Sequence, residues 1–296
     1  MSKTVIVGAS GWLGKSALQA YLELFQNEET PTLVSRAEKL VHVSGLGIAA
    51  SPRNESFFAK SWDRYIHCAF ATREHYYSLG STEYIAENKK IIREARQDIL
   101  RGRPSKVLVI SSGAVSRPPL ASLTDPSYAV YGELKRLELE TLRSAAHSVG
   151  AKFLDGRLFS ATGSFMKEPV LFAIGNFIQQ ASTQKRIKVT STQPTYRRYC
   201  DSVQFMKSAF HNLDNGADEK LESGGVIVEM GELAMEVCLE MGISCDIERN
   251  LSQLPVIDDY FSRSWKFEES LFRLGEEPLS LRAQIRNVIE RLNQSG

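Results

Sequence analysis

Short runs of apolar residues alternate along the first half of the chain with longer segments in which apolar side chains recur every three or four positions. The first run, Thr4–Val7, precedes such a segment, which extends from residue 12 to about residue 25. A β-branched run followed by an amphipathic repeat predicts a strand and then a helix. The same reasoning predicts further strands at 32–34, 40–43, 65–69, 106–110 and 152–154, and further helices at 81–100 and 128–149.

This alternation predicts an α/β fold with a doubly wound parallel sheet, because a parallel crossover needs the length of chain that a helix supplies. We expect residues 1–160 to form a nucleotide-binding domain, with returning segments near 187–213 and 226–242. Residues 161–296 are expected to form mainly a small substrate-binding lobe over the strand ends, where such sheets bind ligands. Within that lobe the pattern predicts a polar loop at 181–198 containing a strand at 187–189, and helices at 201–213, 231–241 and 279–293.

Three glycines, Gly8, Gly11 and Gly14, lie between the first predicted strand and the first predicted helix. Glycine permits the backbone angles and the close approach that let a pyrophosphate reach the N–H groups at the start of a helix. The spacing also suits simple strand-to-helix packing, but its place directly after a strand favours a dinucleotide site. The loop residues predicted to contact the cofactor are Gly8, Ser10, Gly11, Trp12, Leu13 and Gly14.

The residues that follow the second strand bear on the choice of cofactor. A carboxylate there would bind a ribose 2′-hydroxyl, whereas an arginine suits a 2′-phosphate. Ser35-Arg36 occupies this place. The sequence therefore favours NADP(H) bound by Arg36, with NAD(H) as the alternative if Arg36 only solvates the end of the strand.

Tyr131 and Lys135 lie four residues apart on a predicted helix, and therefore on one face of it. An ammonium group stabilises a nearby phenolate, so Lys135 is predicted to lower the pKa of Tyr131. The pair could then exchange a proton with a substrate hydroxyl or carbonyl. Ser111 and Ser112 follow the predicted strand at 106–110, where a hydroxyl can bind the same substrate oxygen.

Composition narrows the class of protein further. The chain has 296 residues, of which 43% are hydrophobic and 24% charged, and its formal net charge is +1. Such values are typical of globular domains, and the sequence shows no basic patch that would indicate nucleic-acid binding. It also shows neither the roughly 18 apolar residues of a membrane helix nor a signal-peptide pattern, which predicts a cytoplasmic protein. The four cysteines and five histidines lack ligand spacing, so the sequence predicts no metal site.

The glycine loop, the strand-end serine and the Tyr131 and Lys135 pair together resemble the extended short-chain dehydrogenase/reductase family of nucleotide-sugar epimerases, dehydratases and ketoreductases. The resemblance covers nearly the whole chain, including 66–69, 157–163, 198–203 and 274–278. It implies a Rossmann-type sheet and an NAD(P)-dependent oxidoreductase or epimerase that acts on a nucleotide sugar in polysaccharide precursor synthesis. It also implies a homodimer formed through two helices of each subunit.

The resemblance assigns roles to individual residues. Ser112, Tyr131 and Lys135 would be catalytic, with Ser112 preferred over Ser111 and with Lys135 also holding the nicotinamide ribose. Further cofactor contacts would come from Cys68, Ala69, Phe70 and Asn88. Substrate contacts would come from Ser112, Ser160 and Arg198. The chain departs from the family pattern at Phe70, Ser116 and Ser160, where a small residue, a tyrosine and an asparagine are usual, and this leaves the substrate open.

The residues after Ser112 bear on the reaction. Dehydratases of the family carry an Asp-Glu pair there as acid and base, whereas this chain has Gly113-Ala114, so dehydration is disfavoured. Reduction of a keto-sugar and 4-epimerisation through a transient ketone remain, and Arg36 favours the reductase. The alternative of another class is a sensor or structural protein that binds a dinucleotide without turnover. Retention of both Tyr131 and Lys135 argues for an enzyme.

Overall fold

The computed structural model describes residues 3–54, 57, 61–116, 125–216, 219–253 and 256–294. The chain divides into two compact units, of which the first comprises Met1–Leu158 and Val203–Glu222 and the second Phe159–Ser202 and Ser223–Gly296. The segment that returns to the first unit is therefore Val203–Glu222. Residues 187–202 and 226–242, which were expected to return to the nucleotide-binding domain, lie in the second unit.

The strands are numbered here in chain order over the described residues. They are β1 (Thr4–Val7), β2 (Thr32–Val34), β3 (Lys39–Val43), β4 (Leu46–Ser51), β5 (Arg64–His67), β6 (Lys106–Ser112), β7 (Lys152–Leu158), β8 (Ser160–Thr162), β9 (Arg186–Lys188), β10 (Thr195–Asp201), β11 (Lys220–Glu222), β12 (Val226–Glu229), β13 (Asp246–Glu248) and β14 (Asp258–Asp259).

The α-helices of the same residues are α1 (Trp12–Leu24), α2 (His75–Leu79), α3 (Ser81–Gly102), α4 (Pro126–Ser148), α5 (Ala173–Gln184), α6 (Ser202–Asn215), α7 (Met230–Met241), α8 (Lys266–Arg273) and α9 (Leu281–Asn293). Short 3-10 turns occupy Gly113–Val115 and Pro169–Leu171. Within the described residues, no helix is long and apolar enough to cross a membrane.

The first unit contains an eight-stranded sheet with the strand order β11-β7-β6-β5-β1-β2-β4-β3. Neighbouring strands run parallel except β3 and β4, which are antiparallel. Strands β1 and β5 are buried along their whole length, as expected for parallel strands covered on both faces. The predicted α/β fold with a Rossmann-type parallel sheet is confirmed.

Helices α3 and α4 supply much of the apolar cover of this sheet. Helix α3 buries Tyr84, Ile91, Ala95 and Ile99, whose spacing of four or seven residues places them on one face of a helix. The apolar stripe of α4 packs in the same core, with Leu139, Leu142, Ala145 and Ala146 against β5, β6 and β7. This packing fixes the C-terminal ends of the central strands beside the first turns of α4.

The hairpin of β3 and β4 was only half predicted, because the sequence pattern indicated β3 alone. Two residues join the strands, and both have positive φ angles, 49° at Ser44 and 77° at Gly45. Val43 pairs with Leu46 across the turn. Positive φ at both central residues is typical of the tight type I′ hairpin turn, so Ser44-Gly45 is the local signal for this element.

The second unit has a sheet with the order β12-β10-β14, in which β8 also pairs with β10. A separate parallel pair joins β9 and β13. Helices α5 and α8 were not predicted from the sequence, and β10 begins inside the segment expected to be a loop. In α8, Phe267 and Leu271 are buried four residues apart, a repeat too short to stand out in the sequence.

Candidate active site

The turn between β1 and α1 is built by glycines with different roles. Gly8 has a φ of +81°, and a Cβ there would lie 2.7 Å from the backbone nitrogen of Ala69. A Cβ on Gly14 would lie 2.1 Å from the carbonyl oxygen of Gly8. Gly11 is the residue that caps α1, and no side-chain hydrogen bond caps this helix within the described residues. The first N–H groups of a helix have no partner inside it, so this turn offers donors to an anion.

A cavity of about 490 Å³ opens at this turn, entirely within the first unit. The predicted cofactor contacts that line it are Gly8, Ser10, Gly11, Arg36, Cys68, Ala69 and Phe70. Among the described residues, Trp12, Leu13 and Gly14 do not line it but form the start of α1. The cavity extends from the start of α1 to the end of β2, and in such sheets the diphosphate of a dinucleotide binds at this turn.

The cavity wall beyond β2 is rich in cationic side chains. Arg36, Lys39 and Lys90 all line it. The Arg36 guanidinium pairs with Glu87 at 2.8 Å, but 75% of the Arg36 side chain remains exposed. Arg53 also lines the cavity, but its guanidinium is bound to Asp98 at 2.8 Å. Of these two arginines, Arg36 is thus the one whose side chain is mostly exposed to solvent.

Ser112 and Tyr131 meet at the C-terminal end of β6. The Ser112 side chain accepts a hydrogen bond from Ala114 N at 3.2 Å, and its hydroxyl lies near enough to the Tyr131 phenol to lower the pKa of that phenol. Helix α4 comes close to this strand end because Gly132 has no Cβ, which would lie 3.1 Å from the Ala114 carbonyl oxygen. Ser111 binds a different partner, because its hydroxyl donates a hydrogen bond to the buried carboxylate of Asp155. The structure thus brings Ser112, not Ser111, to the tyrosine.

Lys135 lies one turn beyond Tyr131 with its ammonium buried. Its Nζ donates to the Ile110 carbonyl oxygen at 3.0 Å and to Glu138 Oε2 at 2.9 Å. The same Nζ lies 3.8 Å from the centre of the Phe70 ring. Phe70 also contacts the Tyr131 ring edge to face at 5.7 Å. Phe70 therefore packs against both members of the pair.

The pKa of Tyr131 does not follow the prediction that Lys135 lowers it. Loss of solvent around the half-buried phenol raises the pKa of Tyr131 to about 12, although the nearby Ser112 hydroxyl acts in the opposite direction. The carboxylates of Glu138 and Glu74 raise the pKa further, whereas Arg73 lowers it. The phenol is protonated at neutral pH, as an unperturbed tyrosine also is.

A glycine turn after the first strand, together with a half-buried tyrosine and a buried lysine beside the end of a central strand, agrees with the match to a known family. The model of the NAD dependent epimerase/dehydratase family matches residues 4–221. The chain belongs to this family. The predicted family and the prediction of an enzyme are therefore confirmed.

Solved structures of nucleotide-sugar enzymes share the fold over their full length. The UDP-N-acetylglucosamine 4-epimerase of Methanobrevibacter ruminantium M1, in complex with UDP-N-acetylmuramic acid, is 15% identical, with 100% of each chain covered and a TM-score of 0.77. A UDP-glucose 4-epimerase is 15% identical, with 99% of this chain and 98% of that one covered and a TM-score of 0.75. The GDP-mannoheptose C4 reductase of Campylobacter jejuni, with NADP bound, is 14% identical, with 99% and 98% covered and a TM-score of 0.71. No curated protein matches the chain.

Asn88 does not fit its predicted role in this member of the epimerase/dehydratase family. It is fully buried, and its amide oxygen accepts a hydrogen bond from Ala71 N at 2.9 Å. Its amide nitrogen donates to the carbonyl oxygens of Ala71 and Tyr84, each at 3.2 Å. Through these hydrogen bonds the Asn88 side chain holds the backbone that follows β5 in place. Asn88 thus supports the wall that contains Ala69 and Phe70 instead of contacting the cofactor.

Arg198, predicted to lie near a substrate diphosphate, is buried in the second unit with 1% of its surface exposed. Its guanidinium donates to the carbonyl oxygens of Gly225, Ser262 and Ser264 and to Glu268 Oε1. A side chain with these partners has no surface left for a diphosphate, so that assignment is wrong. Ser160, the other predicted substrate contact in this unit, begins β8 and pairs with Tyr199 of β10.

His67 and Glu138 were not predicted as site residues from the sequence, but both pack behind Lys135: Glu138 binds its ammonium, and His67 contacts Glu138. Glu138 is three residues beyond Lys135 and lies on the buried face of α4. A carboxylate in an apolar stripe, three positions from a lysine, is the signal that could have identified it. His67 ends β5, and a histidine at the end of an otherwise apolar strand is a comparable signal.

Proposed function

We propose that the chain is an NADP(H)-dependent reductase that converts the ketone of a keto-sugar nucleotide into an alcohol. The observation that carries the proposal is the Arg36 guanidinium, which lies in the wall of the cavity at the glycine turn with 75% of its side chain exposed and suits the 2′-phosphate of NADPH, the usual reductive cofactor. Tyr131, which is protonated at neutral pH as an ordinary tyrosine is, lies on α4 one turn before Lys135 and supplies the proton. A protonated phenol is the form that gives a proton to a ketone oxygen.

Three side chains carry the proton chemistry in this proposal. Ser112 donates a hydrogen bond to the ketone oxygen, and Tyr131 transfers its proton to that oxygen while the new C–H bond forms. Bound NADPH supplies the hydride for this bond. Lys135 holds the nicotinamide ribose from its fixed place on α4, and the tyrosinate then regains a proton from solvent.

The charges of the cavity support NADP(H) as the cofactor. Arg36, Lys39 and Lys90 surround the end of β2, where the 2′-position of the adenosine ribose lies in such folds. The guanidinium of Arg36 suits bidentate bonds to a phosphate, and its partner Glu87 is itself partly exposed. A 2′-phosphate can therefore replace Glu87 as the anion that Arg36 binds.

The substrate class rests on the family and on the known ligands of the structural neighbours. Two of these neighbours are named for UDP-sugars and a third for GDP-mannoheptose. The last of them is a C4 reductase with NADP bound, the combination proposed for this chain. Gly113 and Ala114 in place of an acid and a base also support reduction over dehydration.

The proposal is tested with the purified protein, NADPH and a panel of nucleotide-linked 4-keto-sugars. We expect NADPH absorbance to fall in proportion to the alcohol formed. Conversion of UDP-glucose or UDP-N-acetylglucosamine to its 4-epimer without net consumption of NADPH would replace the reductase by an epimerase. Saturable NADPH binding with neither reaction across the panel would contradict both activities and favour a sensor.

Replacing Arg36 with alanine is expected to weaken NADPH binding by about 10- to 100-fold, since a hydrogen bond to a charged group contributes roughly 1.5–3 kcal/mol. NADH, which lacks the 2′-phosphate, should bind with an affinity changed by less than about threefold. Fluorescence titration with each coenzyme measures both values. Arg96→Ala removes an exposed arginine from α3 outside the cavity lining and serves as the matched control. Equal losses for NADPH and NADH would reject the phosphate role.

A further inference from the structure

One face of helix α3 forms part of the cavity wall beyond β2. The residues of this helix that line the cavity are Glu87, Lys90, Ile91 and Glu94. The last three follow Glu87 by three, four and seven positions, a spacing that places all four on one side of a helix. Helix α3 therefore adds two carboxylates to a wall that also contains Arg36, Lys39 and Arg53.

The first of these carboxylates to consider, Glu94, is paired with an arginine that has a second partner. Glu94 Oε2 lies 3.1 Å from Arg53 Nη1. The Arg53 guanidinium is also bound at 2.8 Å to Asp98, whose side chain has no exposed surface. Arg53 therefore keeps a buried counter-charge whether or not Glu94 stays beside it.

Glu87 differs from Glu94 because its partner is the exposed Arg36. Glu87 Oε1 lies 2.8 Å from Arg36 Nη2, with 75% of the Arg36 side chain and 30% of the Glu87 side chain exposed. An ion pair between side chains with this exposure contributes little to stability, because solvent screens the charges. The pair can therefore open at little cost to the fold.

The contact with Glu87 hinders the binding of a phosphate by Arg36. A guanidinium presents its N–H donors in a fixed plane, and a bidentate bond to a phosphate uses two of them. A phosphate must therefore either displace Glu87 from these donors or bind beside it. Two anions bound to one guanidinium lie a few ångströms apart and repel each other. In both cases Glu87 weakens the binding of the phosphate.

NADH does not meet this opposition at its adenosine ribose. It has a 2′-hydroxyl in place of the 2′-phosphate, and a hydroxyl carries no charge and can donate a hydrogen bond to a carboxylate. The residues directly after β2 include no acid, but α3 brings the carboxylate of Glu87 to the same guanidinium. The effect of Glu87 should therefore appear in the ratio of the NADPH and NADH affinities.

We propose that Glu87 is a specificity-determining residue of the coenzyme site: its carboxylate competes with the 2′-phosphate for the Arg36 guanidinium and so limits the preference for NADPH over NADH. The inference rests on the proposed function in one respect, the binding of the 2′-phosphate by Arg36. It does not depend on the sugar or on the reaction, because it concerns coenzyme binding alone.

The test measures the dissociation constants of NADPH and NADH by fluorescence titration of the wild type and of Glu87→Gln. Glutamine has nearly the shape of glutamate and carries no charge. We expect Glu87→Gln to bind NADPH about three- to tenfold more tightly, a gain limited by solvent screening of the pair. NADH affinity should change by less than about twofold. A selectivity for NADPH over NADH that stays the same or falls would overturn the proposal.

Two controls separate the contact with Arg36 from a general change in charge. Glu83→Gln makes the same substitution on α3 at an exposed site outside the cavity lining, and it should leave the selectivity within about twofold. Calorimetry with 2′,5′-ADP and 5′-AMP compares two ligands that differ only in the 2′-phosphate. Glu87→Gln should tighten binding of 2′,5′-ADP alone. An equal gain in Glu83→Gln, or for both nucleotides, would reject the proposal.

A double variant tests whether Glu87 acts through Arg36. In the Arg36→Ala background there is no guanidinium to compete for, so the addition of Glu87→Gln should change NADPH affinity by less than about twofold. A gain as large as in the wild-type background would mean that Glu87 acts without Arg36, and the competition would be wrong.

Arg36→Ala alone separates this inference from the proposed function. A selective loss of NADPH binding in Arg36→Ala, together with unchanged selectivity in Glu87→Gln, would reject the role of Glu87 and leave the NADP(H) assignment in place. Equal losses of NADPH and NADH in Arg36→Ala would reject the NADP(H) assignment itself, and the role of Glu87 with it.

Discussion

Tyr131→Phe is expected to lower kcat/KM for reduction by roughly 10²–10⁴-fold, the contribution typical of a positioned general acid. The loss should appear in kcat, because the proton is transferred only in the transition state. NADPH affinity should change by less than about threefold, because the variant loses only the hydroxyl near Ser112 and the glycine turn stays intact. Steady-state kinetics and a fluorescence titration with NADPH measure the two effects separately.

Tyr128→Phe is the matched control for this experiment. Tyr128 precedes Tyr131 by one turn of α4, and its ring lies under the guanidinium of Arg73 at 4.1 Å. Loss of its hydroxyl should leave kcat/KM within about threefold of the wild type. If Tyr131→Phe retained wild-type turnover, Tyr131 would not be the proton donor, and the assignment of the active site would be wrong.

Gly14→Ala is expected to have the largest effect on the cofactor site. The added Cβ would lie 2.1 Å from the Gly8 carbonyl oxygen and 2.6 Å from Ala9 Cα, and backbone atoms cannot move aside as flexible side chains do. Helix α1 must shift away from the turn, which should cost about 1–3 kcal/mol or more. The shift also displaces the helix N–H groups, so NADPH affinity should fall at least about tenfold.

Thermal unfolding and NADPH titration check this prediction. Gly80→Ala provides the control for loss of a glycine, because Gly80 has the same φ of +81° as Gly8, but a Cβ there would meet no atom of the described residues within 4 Å. It should lower stability by about 1–2 kcal/mol through backbone strain and leave NADPH affinity unchanged. Wild-type stability and affinity in Gly14→Ala would show that the turn adapts to a side chain, contrary to its observed packing.

The parts of the fold that follow from local patterns could be predicted from the sequence. Strands β1 and β6 contain the continuous apolar runs Val5–Val7 and Val107–Ile110, and α3 and α4 repeat apolar residues over more than 20 positions each. The hairpin of β3 and β4 was harder to predict because β4 is the short, glycine-containing run Leu46–Ser51. Its one clear signal, the Ser44-Gly45 turn, is a two-residue feature.

The candidate site also has one part that could be predicted from the sequence and another that could not. Tyr131 and Lys135 could be paired from their spacing because both lie on one helix. The direction of the change in the pKa of Tyr131 could not be predicted, because it depends on the burial of the phenol and on Glu138. For Arg198, a role was predicted that its surroundings do not allow. Nothing in the local sequence reveals that its guanidinium is surrounded by Gly225, Ser262, Ser264 and Glu268.

The link between β2 and β3 carries Arg36 and leads directly to Lys39, at the outer edge of the sheet. The side chains proposed to react lie instead on α4 and at the end of the interior strand β6. Substitutions at these few edge positions can therefore change whether a homologue uses NADP(H) or NAD(H), the coenzymes of biosynthesis and catabolism, while its proton donor stays the same. Relatives with an identical tyrosine and lysine can in this way come to serve opposite metabolic directions.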